Sequence, residues 1–301
     1  MQKNNENVGS LLSLITSMLI FGTIGIFVKF IPLPSEIVAM TRGFIGGACL
    51  LVFGLIRKQK FDFSGLFNGG ALVFISGGAI GFNWILLFES YKYTSVATAT
   101  LGYYMAPVFV ILFSPLFLKE KLTAKKLICV TLAVLGMFFV SGVLSGKIPD
   151  KNEIKGIVLS LGAASFYASI IILNKKTTHI PTNTRTLLQL FSAAVVLVPY
   201  SFITKGFSNV SLTFKTVLLL LIVGIIHTGF AYFLYFGCMK KLKGGTVAIF
   251  SYIDPVSAII LSALILPDES LTLNGIIGAV LILSSAFLSE FDLKEKFFKK
   301  S

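Results

Sequence analysis

The sequence predicts an all-α integral membrane protein, with ten transmembrane helices arranged as two inverted five-helix repeats. Three observations carry this. The 301 residues are 55% hydrophobic and only 13% charged, with mean hydropathy +0.89, whereas a typical soluble domain is about 25% charged. The apolar residues gather into ten runs of the length a bilayer core needs, about 20 residues each. Features of the first five runs recur, in order, in the second five.

The runs cover about 9–30, 34–57, 64–90, 94–116, 123–144, 154–174, 183–204, 213–240, 244–266 and 270–291. The first is longer than a signal-peptide core and is not followed by a small-residue cleavage site, so it is expected to be a retained helix. The eighth holds the stretch Val217 to Gly224 (VLLLLIVG), which has no polar face. A buried helix of a soluble protein alternates polar and apolar faces, so this one reads as lipid-exposed. The connections are too short to fold as soluble domains.

Orientation follows from the basic residues. With the N-terminus in the cytoplasm, 18 of the 26 Lys and Arg fall on the cytoplasmic side and seven outside, with Arg42 inside run 2. The positive-inside rule therefore predicts a multi-pass cell-membrane protein with both termini cytoplasmic. The net charge of +13 is this bias and not a nucleic-acid footprint. Cys49, Cys129 and Cys238 stand singly in apolar runs, which disfavours a zinc site or a disulfide framework. Neither a metal nor a cofactor is expected.

The repeat is legible residue by residue. Thr98, Tyr104 and Pro107 match Thr246, Tyr252 and Pro255 at one offset, and Glu120-x-Leu122-Thr123 matches Glu269-x-Leu271-Thr272 one residue later in register. Arg42 follows Pro34 by eight residues, as Gln189 follows Pro181. Five helices per repeat is odd, so the second repeat (154–291) enters the membrane opposite to the first (9–144). Such repeats characterise secondary transporters, whose substrate sites lie near the midplane at the repeat interface.

On these residues the chain resembles the EamA family of the drug/metabolite transporter superfamily. The resemblance rests on the five-plus-five arrangement, Arg42 early in run 2, the Tyr-x-x-Pro of runs 4 and 9, and the E-x-L-T before runs 5 and 10. It implies ten helices around a central cavity and export of amino acids or related small metabolites by alternating access.

Ionisable groups at membrane depth are costly and mark function by default. Asp254 lies about ten residues into run 9, and its repeat partner is Ala106. It suits a substrate amine or a coupling proton, or it satisfies donors beside the Pro255 break. His227, mid-run 8, suits a proton relay or a packing hydrogen bond. Arg42 is expected to bind a carboxylate, to pair with Glu36 or Asp254, or to fill a structural polar slot. Glu36 and Glu89 sit near the outer surface and are expected to be dispensable. Pro107 and Pro255 each remove a mid-helix hydrogen bond, which a membrane tolerates beside a cavity. Around them lie Tyr104, Tyr252, Trp84 and Tyr232, with Tyr103 and Tyr235. Their rings bring an apolar face with a polar handle and can enclose an amine. Asn83 adds an amide. The GxxxG pairs Gly43/Gly47 and Gly77/Gly81 read as helix-packing surfaces.

No nucleotide-binding loop or catalytic constellation appears in the sequence. The expected partners are a small-molecule substrate, the bilayer and either protons or the substrate gradient alone, with no nucleic acid. Two alternatives come from other classes. A membrane sensor or scaffold would usually carry a soluble appendage. An intramembrane lipid-modifying enzyme would need a His/acid cluster at the membrane surface, where His179 stands without an acidic partner.

Overall fold

A computed structural model of the chain describes residues 2–119, 121–143, 149–239, 242 and 244–290. Among these residues regular structure is entirely helical. The helices are α1 (Gln2–Lys29), α2 (Ser35–Ile56), α3 (Leu66–Ser90), α4 (Val96–Tyr103), α5 (Ala106–Phe117), α6 (Ala124–Val140), α7 (Lys151–Lys176), α8 (Thr182–Ile203), α9 (Phe214–Leu221), α10 (Ala231–Met239), α11 (Gly244–Ser251), α12 (Ile253–Ile265) and α13 (Leu273–Glu290). A π-helical segment, Ile222–Phe230, joins α9 to α10. Glu120 lies outside the described residues. So do several of the basic residues that set the expected orientation: Lys147, Lys240, Lys241, Lys243 and those beyond 290.

Helix starts follow local chemistry. Ser95, Thr123, Asp150 and Thr213 each accept a hydrogen bond from the backbone N–H three residues on, satisfying one of the orphan donors of a helix N-terminus. Pro34 and Pro181 precede α2 and α8 with nearly the same backbone angles, φ −55°, ψ 140° and φ −53°, ψ 137°.

Among the described residues, seven helical spans are long and apolar enough to cross a membrane: 8–29, 35–56, 66–90, 96–117, 151–176, 182–203 and 214–238. Ile249–Ile265 and Leu273–Ser289 are shorter apolar helices. The ten expected runs thus become seven full spans, these two, and the 17-residue α6. Run 5 is shorter at its far end, where α6 stops at Val140.

Three runs differ from simple helices. Run 4 breaks between α4 and α5, and run 9 between α11 and α12. Proline lacks an N–H and its ring clashes with the carbonyl four residues earlier. Counting four back from Pro107 and Pro255 reaches Tyr103 and Ser251, the residues at which α4 and α11 end. Run 8, expected to be one helix, carries the π segment. There the His227 ring Nδ1 meets the Ile222 carbonyl at 3.3 Å, and the Thr228 hydroxyl donates to the Val223 carbonyl at 3.0 Å. Both are five-residue spacings, which suit the wider turn.

Close approaches at glycines fix the packing. In α2, the space a Cβ would fill at Gly43 is taken by Leu190 and Ala194 of α8. Gly77 and Gly81 of α3 likewise face Gln189, Ser192 and Leu197 of α8. The two GxxxG pairs therefore converge on one partner, α8. Gly136 and Gly278 let α6 and α13 touch backbone to backbone. Further pairings are α3 with α7, α2 with the π segment, α1 with α12 and α10, and α4 and α5 with α7.

Candidate functional site

The freed end of α4 and the start of α12 meet around a cavity of about 360 Å³. Asp254 lies in the first turn of α12, on its wall. The α1 backbone reaches it because residue 22 is glycine: a Cβ there would fall 2.6 Å from the Asp254 carbonyl oxygen. The Tyr104 hydroxyl donates to Asp254 Oδ2 at 2.9 Å, so the two broken runs are joined across the cavity at the carboxylate.

Arg42, 6% exposed, reaches the same cavity from α2. Its guanidinium carbon lies 4.1 Å from the Trp84 ring centre and 5.7 Å from that of Phe88. Its Nε donates to the Thr228 hydroxyl at 2.9 Å. Arg42 forms an ion pair with neither Asp254 nor Glu36. The ion pairs among the described residues are Lys29–Glu269 and Lys92–Glu89. Glu36 instead accepts from Thr204, and Glu89 from Ser35 and Lys92.

Of the residues singled out in the sequence, Asp254, Tyr104, Tyr252, Trp84, Tyr232, Arg42 and Pro107 line the cavity. Asn83, His227 and Pro255 are not among its lining residues. Asn83, 2% exposed, donates to the Ala163 carbonyl at 2.6 Å and ties α3 to α7. His227, 2% exposed, has Nε2 at 3.0 Å from the Thr23 hydroxyl and its ring 4.7 Å from Phe27, in the seam between α1 and the π segment. A polar group on an inward helix face can be satisfied by a neighbouring helix as well as by a cavity, and here the neighbour has it. Gln189 sits in a closed polar slot, donating to Ser76 and Asn174 at 2.6 and 2.8 Å.

The structure adds wall residues that sequence reasoning missed. Met18, Phe21, Gly22 and Gly25 come from α1, and Tyr167 and Ile171 from α7. Tyr167 stands 5.4 Å from Tyr103, ring centre to ring centre. The available signal was a single tyrosine in an otherwise small and apolar run, too weak to choose a face. Away from the cavity, Glu269 Oε1 accepts from Lys29 Nζ at 2.8 Å and from the Val96 N–H at 2.7 Å. This ties the end of α1, the start of α4 and the α12–α13 connection together.

The wall thus offers one carboxylate, one guanidinium, several tyrosines and the hydroxyl residues Thr100 and Ser251 among mostly apolar neighbours, the usual make-up of a small-molecule site. Comparison with known proteins assigns the family. The model of the EamA-like transporter family matches twice, over residues 8–142 and 154–291. The chain belongs to the EamA-like transporter family. "Uncharacterized transporter YxxF" of Bacillus subtilis is 30% identical over 256 residues, 84% of this chain and 80% of that protein. "Uncharacterized transporter YoaV" of the same organism is 25% identical over 289 residues, 95% and 98% of the two chains. A solved crystal structure superposes with a TM-score of 0.62 at 19% identity, covering 93% of this chain and 96% of the other, which is a likeness of fold. This EamA-like chain is a multi-pass membrane transporter of small molecules. Family and relatives point to transport rather than enzymatic chemistry.

Proposed function

We propose that the protein is a secondary active exporter of amino acids or related small zwitterions, working by alternating access. The observation that carries this is the pair of unlike charges on one cavity wall, Asp254 and Arg42, which do not neutralise each other. A zwitterion would bridge them, its ammonium at Asp254 and the Tyr104 hydroxyl, its carboxylate at Arg42. The aromatic walls would hold the side chain. Buried charges need partners, so a substrate carrying both signs completes the site. The same carboxylate can instead take up a coupling proton.

Alternating access rests on ten membrane-crossing helices in two inverted repeats, 9–144 and 154–291, in the cell membrane with both termini cytoplasmic. Several features support this arrangement. Exchanging run 1 with 6, 2 with 7, 3 with 8, 4 with 9 and 5 with 10 maps the helix pairings onto one another. The pairing of α3 with α8 becomes that of the π segment with α2. That of α1 with α12 becomes that of α7 with α4 and α5, and α6 with α13 maps onto itself. The breaks before Pro107 and Pro255 correspond, as do the helix starts after Pro34 and Pro181.

The test is Asp254→Asn in proteoliposomes, which keeps shape and hydrogen bonding and removes the charge. With Asp254 as the coupling group, flux driven by a pH gradient falls sharply while substrate exchange persists. With Asp254 as the counter-ion of the ammonium, affinity falls as well, by about 1.5–3 kcal/mol for a hydrogen bond to a charged group. Unchanged flux, affinity and pH dependence would overturn the assignment of Asp254.

A further inference from the structure

We infer that Thr228 is a positioning residue for the transport site: it fixes the plane of the Arg42 guanidinium against Trp84. The inference deepens the proposed function and rests on it in one respect, that the substrate carboxylate meets Arg42.

Thr228 is fully buried. Its hydroxyl oxygen accepts from Arg42 Nε at 2.9 Å and its proton goes to the Val223 carbonyl at 3.0 Å. With that proton committed to the backbone, the oxygen is held as an acceptor toward α2. The methyl group is fixed as well. Thr228 Cβ and Cγ2 occupy the space a Cβ would take at Gly46, one helical turn beyond Arg42. Hydroxyl and methyl thus address the same helix at two adjacent levels, which leaves the side chain one rotamer. The π segment sets that register, because Gly224 and Gly229 on either side of Thr228 seat against Ile45 and Cys49 of α2. π segments recur at functional sites, and this one delivers an acceptor to the inner edge of a buried arginine. Anchored at Nε and laid on Trp84 at 4.1 Å, the guanidinium keeps its plane, and its two terminal nitrogens remain for a planar carboxylate.

The chain has a single tryptophan, Trp84, so its emission reports the stack in the purified full-length protein without any ligand. Arg42→Met keeps the bulk, removes the cation and defines the unstacked spectrum. Thr228→Val keeps the shape and the methyl but loses the acceptor. Its emission should move at least halfway to that of Arg42→Met, whereas Thr228→Ser, which keeps the hydroxyl, should stay near the parent. Should Thr228→Val fail to yield folded protein, Thr228→Ala removes the same hydroxyl without adding bulk and is read in its place. Parent-like emission from the hydroxyl-free variant, or from Arg42→Met, overturns the inference.

A second arm uses proteoliposomes and a mixture of radiolabelled L-amino acids. Thr228→Val should raise KM about tenfold, as for one lost hydrogen bond to a charged group, with maximal flux within about twofold and Thr228→Ser restoring the parent KM. If the parent moves no L-amino acid while the emission results hold, the proposed function fails and the positioning role stands. If Arg42→Met abolishes uptake while Thr228→Val leaves KM unchanged, the positioning role fails and the proposed function stands.

Discussion

Replacing Lys29 by Met should destabilise the protein more than its surface position suggests, and neutralising Glu269 as well should restore part of the loss. The Glu269 side chain is 3% exposed and that of Lys29 31%. In the parent, Glu269 Oε1 has the Lys29 ammonium at 2.8 Å and the Val96 N–H at 2.7 Å, while Oε2 is buried without a partner. An ion pair in water contributes at most about 1 kcal/mol, but here the carboxylate is out of water. Removing its cation leaves a buried charge with a single N–H, and breaking such a pair costs about 3–5 kcal/mol. Solvent at Lys29 places the expected cost at the lower end, about 3 kcal/mol. Glu269→Gln alone keeps an acceptor for the Val96 N–H, and Lys29 turns to water, so the loss is about 1–2 kcal/mol. In Lys29→Met with Glu269→Gln no charge is left buried, so the double variant should be more stable than Lys29→Met alone. At about 2 °C per kcal/mol for a chain of this size, Lys29→Met lowers Tm by about 6 °C and the double variant by about half that. The assay is thermal unfolding of all four proteins in one detergent. Additive losses, within about 0.5 kcal/mol, would refute the reasoning.

Two further outcomes follow from packing and charge distribution. Gly278→Ala puts a methyl 2.6 Å from the Gly136 carbonyl oxygen between α13 and α6, whereas Gly237→Ala in α10 meets nothing within 4 Å. The first should cost about 1–3 kcal/mol by overpacking and the second should stabilise by about 0.5–1 kcal/mol, so equal Tm shifts would contradict the packing described. In a variant lacking Cys49, Cys129 and Cys238, a single cysteine at Lys151 should label from outside intact cells. One at Lys241 should label only after permeabilisation. The reverse pattern would overturn the proposed orientation.

Membrane character was set by the sequence alone, because a run of about 20 apolar residues has nowhere else to place its surface. The interruptions were legible only in part: α4 and α11 stop four residues before Pro107 and Pro255, yet Pro115 and Pro199 lie inside α5 and α8 without ending them. Tertiary structure decided which polar residues share a space. Asn83 and Trp84 are neighbours in sequence and both buried. Yet a step of about 100° around the helix turns Asn83 toward the Ala163 carbonyl and Trp84 toward the cavity. His227 and Thr228 diverge in the same way, one to Thr23 and the other to Arg42. Helical periodicity tells which residues share a face of one helix. It does not say which helix lies opposite, how closely glycine lets it approach, or whether helix or cavity satisfies a buried polar group. Those depend on the angles and spacings at which the helices settle together, and they separate Asp254 and Arg42 on the wall from His227 and Gln189 in the seams.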